Sequence, residues 1–446
     1  MTRKRYTGRF KAGQRGLQVR NNGQSQVVVG RQLSVMFLSR RLTSDDRRPN
    51  WEVTETATVK LARGRQARVA GGHPWVYGTE VFDIAGNFNP GDIVDVVDYR
   101  GKFLGRGYIN PASQILVRIL TRNREEEINR DFFRRRIKTA WEYRQKVVKN
   151  TNACRVVFAE ADLLPALVVD KFGDYLAIQT LALGIDIHKE TITGILEELI
   201  NPAGMYERND VSVRELEGLP LQAGFIGAGF ETTVEINENG LNFEVDLAGG
   251  QKTGYFLDQR ENRMALENLC AGARVLDCFC HTGTFSVYAA RFGAREVLGI
   301  DISGPALEVA ARNAARNGVD RVCTFREGNS FDELRAFDRA GERFDLVVLD
   351  PPAFTKSKKA LEGAIRGYKE INLRSFKILQ PGGFLVTCSC SYHMSEGLFL
   401  EVINEAALDA GRVARAVEVR RQARDHPMLL ASPETHYLKC VILQAL

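Results

Sequence analysis

The pattern of hydrophobic and polar positions changes several times along the chain. Residues 57–125 contain short alternating runs separated by glycines, as in 91–98 and 114–120, and this predicts a small β-rich domain. An amphipathic helix is predicted at 129–149, with Asn129 as its N-terminal cap. The first third of the chain is therefore expected to hold one small β domain followed by a helix.

The rest of the chain has a different texture. Strand-like segments, including a hairpin that turns at Asn239 and Gly240, enclose a helix and indicate an α+β domain. From about residue 247, continuous apolar runs alternate with helical segments, which is typical of a parallel sheet covered on both faces. The predicted class is α/β, in four parts: a basic flexible extension at 1–56, a β-rich domain at 57–128, an α+β middle domain at 129–246 and a parallel-sheet domain at 247–446.

Positive charge is concentrated at one end. The 446 residues carry a formal net charge of +6 at pH 7, yet the first 50 hold 12 Lys and Arg against 2 Asp, which leaves the remainder slightly acidic. The net charge of the whole chain is therefore a poor indication of nucleic-acid binding. The 129–149 helix is a local exception, with 8 basic and 2 acidic residues between 130 and 149, and suits either a phosphate backbone or a solvated face.

The apolar runs and the cysteines bear on compartment and metal content. No run of 18 or more apolar residues occurs, and the eight cysteines lack the regular spacing of a disulfide framework, so we expect a cytoplasmic protein with no membrane segment. The pairs Cys278/Cys280 and Cys388/Cys390 are separated by one residue, whereas structural zinc sites use wider spacing. No metal is predicted.

The strand ends of the parallel sheet are the informative positions, because ligands bind at the carboxyl edge of such sheets. The first strand ends in Asp277 and the second in Asp301, which can hydrogen-bond a ribose. The loop after Asp277 has a single glycine, Gly283, which is too few to cradle a pyrophosphate. A nucleoside ligand without phosphate, S-adenosylmethionine, is therefore predicted.

The fourth strand ends in Asp350, Pro351 and Pro352, and Phe354 follows. The two prolines restrict the backbone, so the carboxyl and the ring project in fixed directions. A carboxyl that bonds a base edge and a ring that stacks on its face are what an extruded nucleotide requires. This strand end predicts a site for a nucleobase.

The fifth strand carries Cys388 and Cys390 on the same side. A thiolate has a clear purpose at a nucleobase site, because its addition to carbon 6 of cytosine makes carbon 5 nucleophilic enough to take a methyl group. Asp350 is placed to support that addition near ring nitrogen 3. Either cysteine satisfies the spacing.

Five segments together resemble the bacterial large-subunit ribosomal RNA cytosine-5 methyltransferases that carry an N-terminal PUA domain. They are His-Pro-Trp-Val-Tyr at 73–77, Lys-Thr-Gly-Tyr-Phe-Leu-Asp-Gln-Arg at 252–260, Asp-Pro-Pro-Ala-Phe at 350–354, Gly-Tyr-Lys-Glu-Ile-Asn at 367–372 and Thr-Cys-Ser-Cys-Ser at 387–391. The resemblance implies 5-methylcytosine in 23S ribosomal RNA as the product and S-adenosylmethionine as the donor. It also implies an RNA-binding PUA domain and a C-terminal Rossmann-like class I methyltransferase domain.

The resemblance also implies roles for individual residues, beginning with Cys390 as the nucleophile and Asp350 as the second catalytic residue. The implied donor-binding residues are Gln259, Arg260, Asp277, Phe279, Gly283, Asp301, Ile302, Asn329, Ser330 and Asp350. The implied substrate-binding residues are Lys252, Pro351, Pro352, Phe354 and Tyr368. A salt-bridged domain junction is the alternative for Lys252, Gln259 and Arg260, and core packing is the alternative for Tyr368.

Two positions depart from the family pattern. Asn329 stands where the family usually has Asp, and its amide oxygen can still accept a hydrogen bond from the adenine amino group, though without charge. Ala353 stands where better-known RNA cytosine-5 enzymes carry a second cysteine, so the base that removes the carbon 5 proton is not identified.

Two other functions fit parts of the sequence. An acid-Pro-Pro-aromatic segment also suits methylation of an exocyclic amine of guanine or adenine in RNA, which needs no thiol. A non-enzymatic RNA-binding assembly factor is the third reading. The expected partner is large-subunit ribosomal RNA, with homodimerisation left open.

Overall fold

The computed structural model describes residues 18–21, 24–27, 56–355 and 358–446. The chain divides into two compact units, Met1–Ile128 and Asn129–Leu446. Each unit has its own sheets and its own buried residues, and each is described here by itself.

The first unit is built on one eight-stranded sheet, in the order β2-β1-β5-β3-β6-β7-β8-β4, with a short helix α1 (Ala67–Ala70). The close approach of β7 to β8 depends on Gly107, because a Cβ there would lie 2.0 Å from the Arg118 carbonyl oxygen. The strands are β1 (Gln18–Asn21), β2 (Gln24–Val27), β3 (Thr58–Leu61), β4 (Trp75–Tyr77), β5 (Val81–Ala85), β6 (Ile93–Val97), β7 (Phe103–Ile109) and β8 (Ile115–Thr121).

Strands β1 and β2 fall within the segment expected to be a flexible extension. They pair with each other, and Val19 pairs with Ile84 on β5. Residues 18–21 and 24–27 are therefore strands of a sheet, whereas a flexible extension was expected there. The other positions of that segment up to residue 55 lie outside the described residues.

The second unit opens with helix α2 (Arg130–Val147). The Asn129 side chain accepts a hydrogen bond from the Phe132 amide at 3.1 Å, so the predicted cap is present. Phe133 and Ile137 are buried on one face of the helix, as the helical spacing predicted.

The basic residues of α2 are partly neutralised by the rest of the unit. Arg130 and Arg134 both pair with Glu198, at 2.5 and 3.6 Å. Arg144 is fully buried and donates to Asp162 at 2.5 Å. These contacts favour a solvated, salt-bridged face over a continuous phosphate-binding surface for this part of the helix.

A five-stranded sheet follows, in the order β13-β12-β11-β10-β9, and then the separate hairpin β14-β15, which turns at Asn239 and Gly240 as predicted. The strands are β9 (Ala153–Phe158), β10 (Leu167–Phe172), β11 (Tyr175–Thr180), β12 (Gly204–Asn209), β13 (Gln222–Ile226), β14 (Thr233–Glu238) and β15 (Leu241–Asp246). The helices are α3 (Leu183–Asp186) and α4 (Lys189–Ile200).

A seven-stranded sheet in the order β18-β17-β16-β19-β20-β22-β21 forms the last part of the unit. The first five strands in that order are parallel, whereas β22 inserts antiparallel between β20 and β21. The strands are β16 (Arg274–Cys278), β17 (Glu296–Asp301), β18 (Cys323–Glu327), β19 (Phe344–Leu349), β20 (Leu379–Ser389), β21 (Ala414–Arg421) and β22 (Lys439–Ala445).

Alternate residues of these strands enter two separate hydrophobic clusters. Val275 and Val348 belong to one cluster, while Leu276 and Leu349 belong to the other, so the sheet is buried on both faces and the α/β prediction is confirmed. The helices are α5 (Arg260–Met264), α6 (Thr284–Arg291), α7 (Gly304–Arg316), α8 (Ser330–Ala340), α9 (Leu361–Ile378) and α10 (Glu396–Asp409). Single 3-10 turns occur at Gly78–Glu80, Ala159–Asp162, Ser212–Glu217, Leu257–Gln259, Lys358–Ala360 and Pro433–Thr435.

Candidate active site

Asp277, a buried carboxyl, lies near the end of β16, just before the loop that leads to α6. Its Oδ2 accepts a hydrogen bond from the Ser286 hydroxyl at 2.6 Å, while its Oδ1 is buried and has no partner among the described residues. Burial raises the pKa of Asp277 to about 7. An unsatisfied acceptor at a strand end can receive a hydrogen bond from a ligand, and the amine of a bound amino acid group would supply one.

The same loop is a tight turn with a single glycine. Phe279 and His281 have positive φ values of 62° and 50°, and Gly283 has φ 73°. A Cβ at Gly283 would lie 2.8 Å from the Cβ of Ala310, so α7 packs directly against the loop. The turn lacks the glycine-rich cradle of a dinucleotide site, as expected for a donor without phosphate.

Asp301 ends β17 beside this loop. Its Oδ2 accepts the His281 amide at 2.9 Å and its Oδ1 accepts the Ser303 amide at 3.0 Å. These bonds hold the carboxylate in one orientation, in which each oxygen keeps a further lone pair for a ribose hydroxyl. The adjacent Ile302 side chain is 72% exposed, which provides an apolar surface next to the acid.

Asn329 and Ser330 begin helix α8 after β18. The Asn329 oxygen accepts the Phe331 amide at 2.9 Å, so this side chain caps the helix and keeps one lone pair for the expected contact with adenine. Ser330 is buried, and its hydroxyl acts to lower the pKa of the Cys278 thiol, which burial raises. The assignment of Ser330 to the donor stays a prediction.

Asp350 ends β19. Its Oδ1 accepts a hydrogen bond from Gln259 Nε2 at 2.8 Å, and Asn262 in turn donates to Gln259 Oε1 at 2.6 Å. Burial and the neighbouring Asp258 raise the pKa of Asp350 to about 7. A carboxyl with such a pKa is partly protonated near neutral pH, so it can donate a hydrogen bond as well as accept one.

An aromatic cluster lies beyond Asp350. The Phe354 ring is 4.6 Å from the Tyr368 ring and 5.7 Å from the Phe331 ring, and Phe279 is 6.4 Å away. Phe354 is half-buried, so part of its ring is open to a base. Phe331 was not among the predicted site residues. The sequence feature that could have identified Phe331 is its position in the first turn of the helix that follows the third strand of the parallel sheet.

The two candidate cysteines of β20 differ in environment. Cys388 is fully buried and pairs with Cys440 in the ladder, and the neighbouring Cys440 thiol together with burial raises its pKa. Cys390 lies just past the strand, and its Sγ is 3.8 Å from the Pro351 carbonyl oxygen. Of the eight cysteines, Cys390 alone is half-buried and the others are buried. The geometry therefore makes Cys390 the thiol that a ligand at the Asp350–Pro351 edge can reach.

Tyr368 stands behind this edge and is fully buried. Its hydroxyl is 3.0 Å from both the Ser389 and Ser391 hydroxyls, which flank Cys390. Tyr368 therefore supports the segment that bears the thiol and the ring of Phe354. The alternative of core packing describes it better than direct contact with substrate.

The three polar residues that precede the sheet, Lys252, Gln259 and Arg260, make different contacts. Gln259 reaches Asp350, as described above, whereas Arg260 is 3% exposed and donates to Asp425 at 2.9 Å. This ion pair matches the alternative of a salt-bridged junction for Arg260, whose Nε and Nη1 atoms have no hydrogen-bond partner among the described residues. Lys252 is 49% exposed, and its Nζ lies 3.3 Å from an Asp258 oxygen. Its charge lowers the pKa of the Cys390 thiol, which burial raises to about 11.

Neither a metal-binding cluster nor a membrane-spanning helix is found among the described residues. In those residues, no group of three or more His, Cys, Asp and Glu side chains is placed to hold a metal ion. No helix in that part of the chain is long and apolar enough to cross a bilayer.

The site and the fold together define a class of protein. Residues 222–428 match the S-adenosylmethionine-dependent methyltransferase family, and residues 59–122 match a PUA-like domain. The fold is similar to that of a solved structure from Streptococcus mutans that is described as an S-adenosylmethionine-dependent methyltransferase. The TM-score is 0.74, and the two chains are 20% identical over 87% of this chain and 99% of the other. The chain is an S-adenosylmethionine-dependent methyltransferase with a PUA-like domain.

Comparison with curated relatives narrows the class. The chain is 41% identical to the ribosomal RNA large subunit methyltransferase I of Tolumonas auensis, over 88% of this chain and the whole of that protein. It is 42% identical to the corresponding protein of Aeromonas hydrophila, over 87% of this chain and the whole of the relative. The chain therefore belongs to the ribosomal RNA large subunit methyltransferase I family.

Proposed function

We propose that this protein transfers a methyl group from S-adenosylmethionine to carbon 5 of a cytosine in 23S ribosomal RNA, through a covalent bond between Cys390 and the base. The observation that carries the proposal is the position of Cys390. Its half-buried thiol lies just past β20 and 3.8 Å from the Pro351 carbonyl oxygen, beside the end of the neighbouring strand β19, which presents Asp350. The names of the relatives support large-subunit ribosomal RNA as the substrate.

The donor side of the site fits the proposed cofactor. The unpaired Asp277 oxygen suits the donor's amine, and the oriented Asp301 carboxylate suits its ribose hydroxyls. We assign the contacts with the adenine to the exposed Ile302 and to the Asn329 amide. When bound, S-adenosylmethionine supplies an electrophilic methyl group on a sulfonium.

The acceptor side supplies the activation of the base. The Cys390 thiolate forms a bond to carbon 6, and the ring electrons displaced from the 5,6 double bond reach the N3 side, where a protonated Asp350 donates a hydrogen bond. Carbon 5 then bonds to the methyl carbon as the bond between methyl and sulfur breaks. Loss of the carbon 5 proton and of the Cys390 sulfur from carbon 6 restores the aromatic ring.

The decisive experiment replaces Cys390 and uses Cys388 as the matched control. Cys390→Ala should lower turnover by a factor on the order of 10³ or more, because the covalent route is removed, whereas Cys388→Ala changes a buried thiol on the same strand. RNA carrying 5-fluorocytidine should form a stable adduct with wild type and with Cys388→Ala. No adduct should form with Cys390→Ala.

Two outcomes would redirect the proposal. Retained turnover by Cys390→Ala would favour methylation of an exocyclic amine, which the Asp350 and Phe354 pair also suits. Absence of S-adenosylmethionine binding by calorimetry would favour an RNA-binding assembly role. The product itself can be identified by nucleoside mass spectrometry of ribosomal RNA from cells that lack the protein, in which loss of one 5-methylcytosine is expected.

A further inference from the structure

Lys439 is a buried lysine at the start of β22 and is absent from the predicted site. Only 2% of it is exposed, and it pairs in the ladder with Ser389, next to Cys390. Its Nζ donates to the Ser391 carbonyl at 2.8 Å and to the Tyr437 carbonyl at 2.8 Å. Among the described residues, no carboxylate lies within salt-bridge distance of this amine.

A buried ammonium without a counter-ion is costly, so its presence calls for a reason. An ammonium has three N–H donors, and the two carbonyls account for two of them. The third has no partner among the described residues. The amine is held at the Ser391 carbonyl, in the residue that directly follows the candidate nucleophile.

We propose that Lys439 is a positioning residue whose ammonium stabilises the thiolate of Cys390 and so prepares it for attack on the base. The step is a loss of the thiol proton to solvent or substrate, with the sulfur left as an anion beside the fixed positive charge. The inference deepens the proposed function, since it rests on Cys390 as the nucleophile. It concerns the thiol before any RNA or donor is bound.

The charges around the pair set the expected pH range. Burial lowers the pKa of Lys439 to about 8, while Cys390 and Glu396 oppose the shift, and His436 also faces the amine. The ammonium is therefore present below about pH 8 and is lost as the pH rises through that value. Stabilisation of the thiolate by Lys439 should follow the same course.

Further charges act on the sulfur from other elements. Lys252 favours the thiolate, whereas Asp350 and Asp258 disfavour it. These groups are shared by wild type and by Lys439 variants, so a comparison of rates between them isolates the lysine.

The test measures alkylation of Cys390 by iodoacetamide in the absence of RNA and donor, across a pH series, with peptide mass spectrometry as the readout. Wild type is compared with Lys439→Met, which removes the charge at similar length, and with Lys439→Arg, which keeps it. Cys390→Ala gives the background. At about pH 7 wild type should react about tenfold faster than Lys439→Met, the effect of a shift of one pKa unit.

The shape of the profile distinguishes charge from structure. The ratio of wild type to Lys439→Met should fall toward one as the pH rises past about 8, because the lysine loses its proton. Lys439→Arg should match wild type at low pH and exceed it at high pH, because the guanidinium stays charged. If Lys439→Met does not fold by circular dichroism, the arginine comparison alone decides.

Coincident profiles for wild type and Lys439→Arg over the whole range, or a Lys439→Met ratio that is the same at every pH, would overturn the inference and leave Lys439 as a structural residue. Because alkylation needs no substrate, these results are separate from the fate of the proposed methylation. Retained turnover by Cys390→Ala would refute the proposed function while leaving the thiolate measurement intact.

Discussion

The carboxyl edge of the seven-stranded sheet has two parts that are built in different ways: the proposed donor edge, which carries Asp277 and Asp301, and the proposed acceptor edge, which carries Asp350 and Cys390. The donor edge takes Asp277 and Asp301 from consecutive strand–helix units, so its groups follow one another along the chain. The acceptor edge gathers Asp350 and Cys390 with groups from distant segments, such as Gln259 and Lys439. The residues of the donor edge can therefore be inferred from each strand in turn. Those of the acceptor edge depend on contacts with segments far away in the chain, such as β22.

The largest expected effect tests whether the donor edge acts independently. Asp301→Ala should weaken S-adenosylmethionine binding by about 10- to 100-fold, because hydrogen bonds to a charged group contribute about 1.5–3 kcal/mol. Calorimetry measures the change. Alkylation of Cys390 should proceed at the wild-type rate in this variant, and a large change in that rate would show that the two edges are coupled.

The next effect concerns the turn of the donor edge. Gly283→Ala should lower the free energy of unfolding by about 1–3 kcal/mol or more, because the new side chain meets both a positive φ and the Cβ of Ala310. Gly272→Ala is the matched control, since its φ is +70° but nothing lies within 4 Å of the added Cβ. Chemical denaturation should rank Gly283→Ala as the more destabilised. Equal losses would mean that close packing of α7 is unimportant.

A smaller effect is expected behind the acceptor edge. Tyr368→Phe removes the hydroxyl that contacts Ser389 and Ser391, each at 3.0 Å, and should lower kcat severalfold, in keeping with about 0.5–1.5 kcal/mol per hydrogen bond. S-adenosylmethionine affinity should be unchanged. A change in S-adenosylmethionine affinity with constant kcat would instead indicate that Tyr368 supports the donor edge.

A separate expected effect is a dependence of stability on pH. Burial raises the pKa of both Asp277 and Asp350 to about 7, so each favours the folded state in its neutral form. Their contribution is present below the unfolded pKa of about 4 and declines as the pH rises to about 7. Asp350→Asn should flatten part of this decline in thermal unfolding between about pH 4 and 8. An identical slope in the variant would contradict the assignment.

Much of the donor edge could be predicted, and Asp277, Gly283 and Asp301 lie together as the strand ends suggested. The acceptor edge was predicted in part. Asp350 and Phe354 follow from their strand, but the sequence could not tell whether Arg260 binds the donor or forms the ion pair that it makes with Asp425. A charged residue near a motif has the same appearance in a sequence whether it binds a ligand or another segment 165 positions away.

The sequence by itself determined the class of fold and the chemistry of the strand ends, because period and strand polarity are local properties that bring consecutive carboxyl ends to one edge. The tertiary structure decided which thiol is accessible. The antiparallel insertion of β22 beside β20 buries Cys388 against Cys440, and the same ladder carries Lys439 to the carbonyl of Ser391. Such cross-strand neighbours depend on long-range register, which local patterns do not encode.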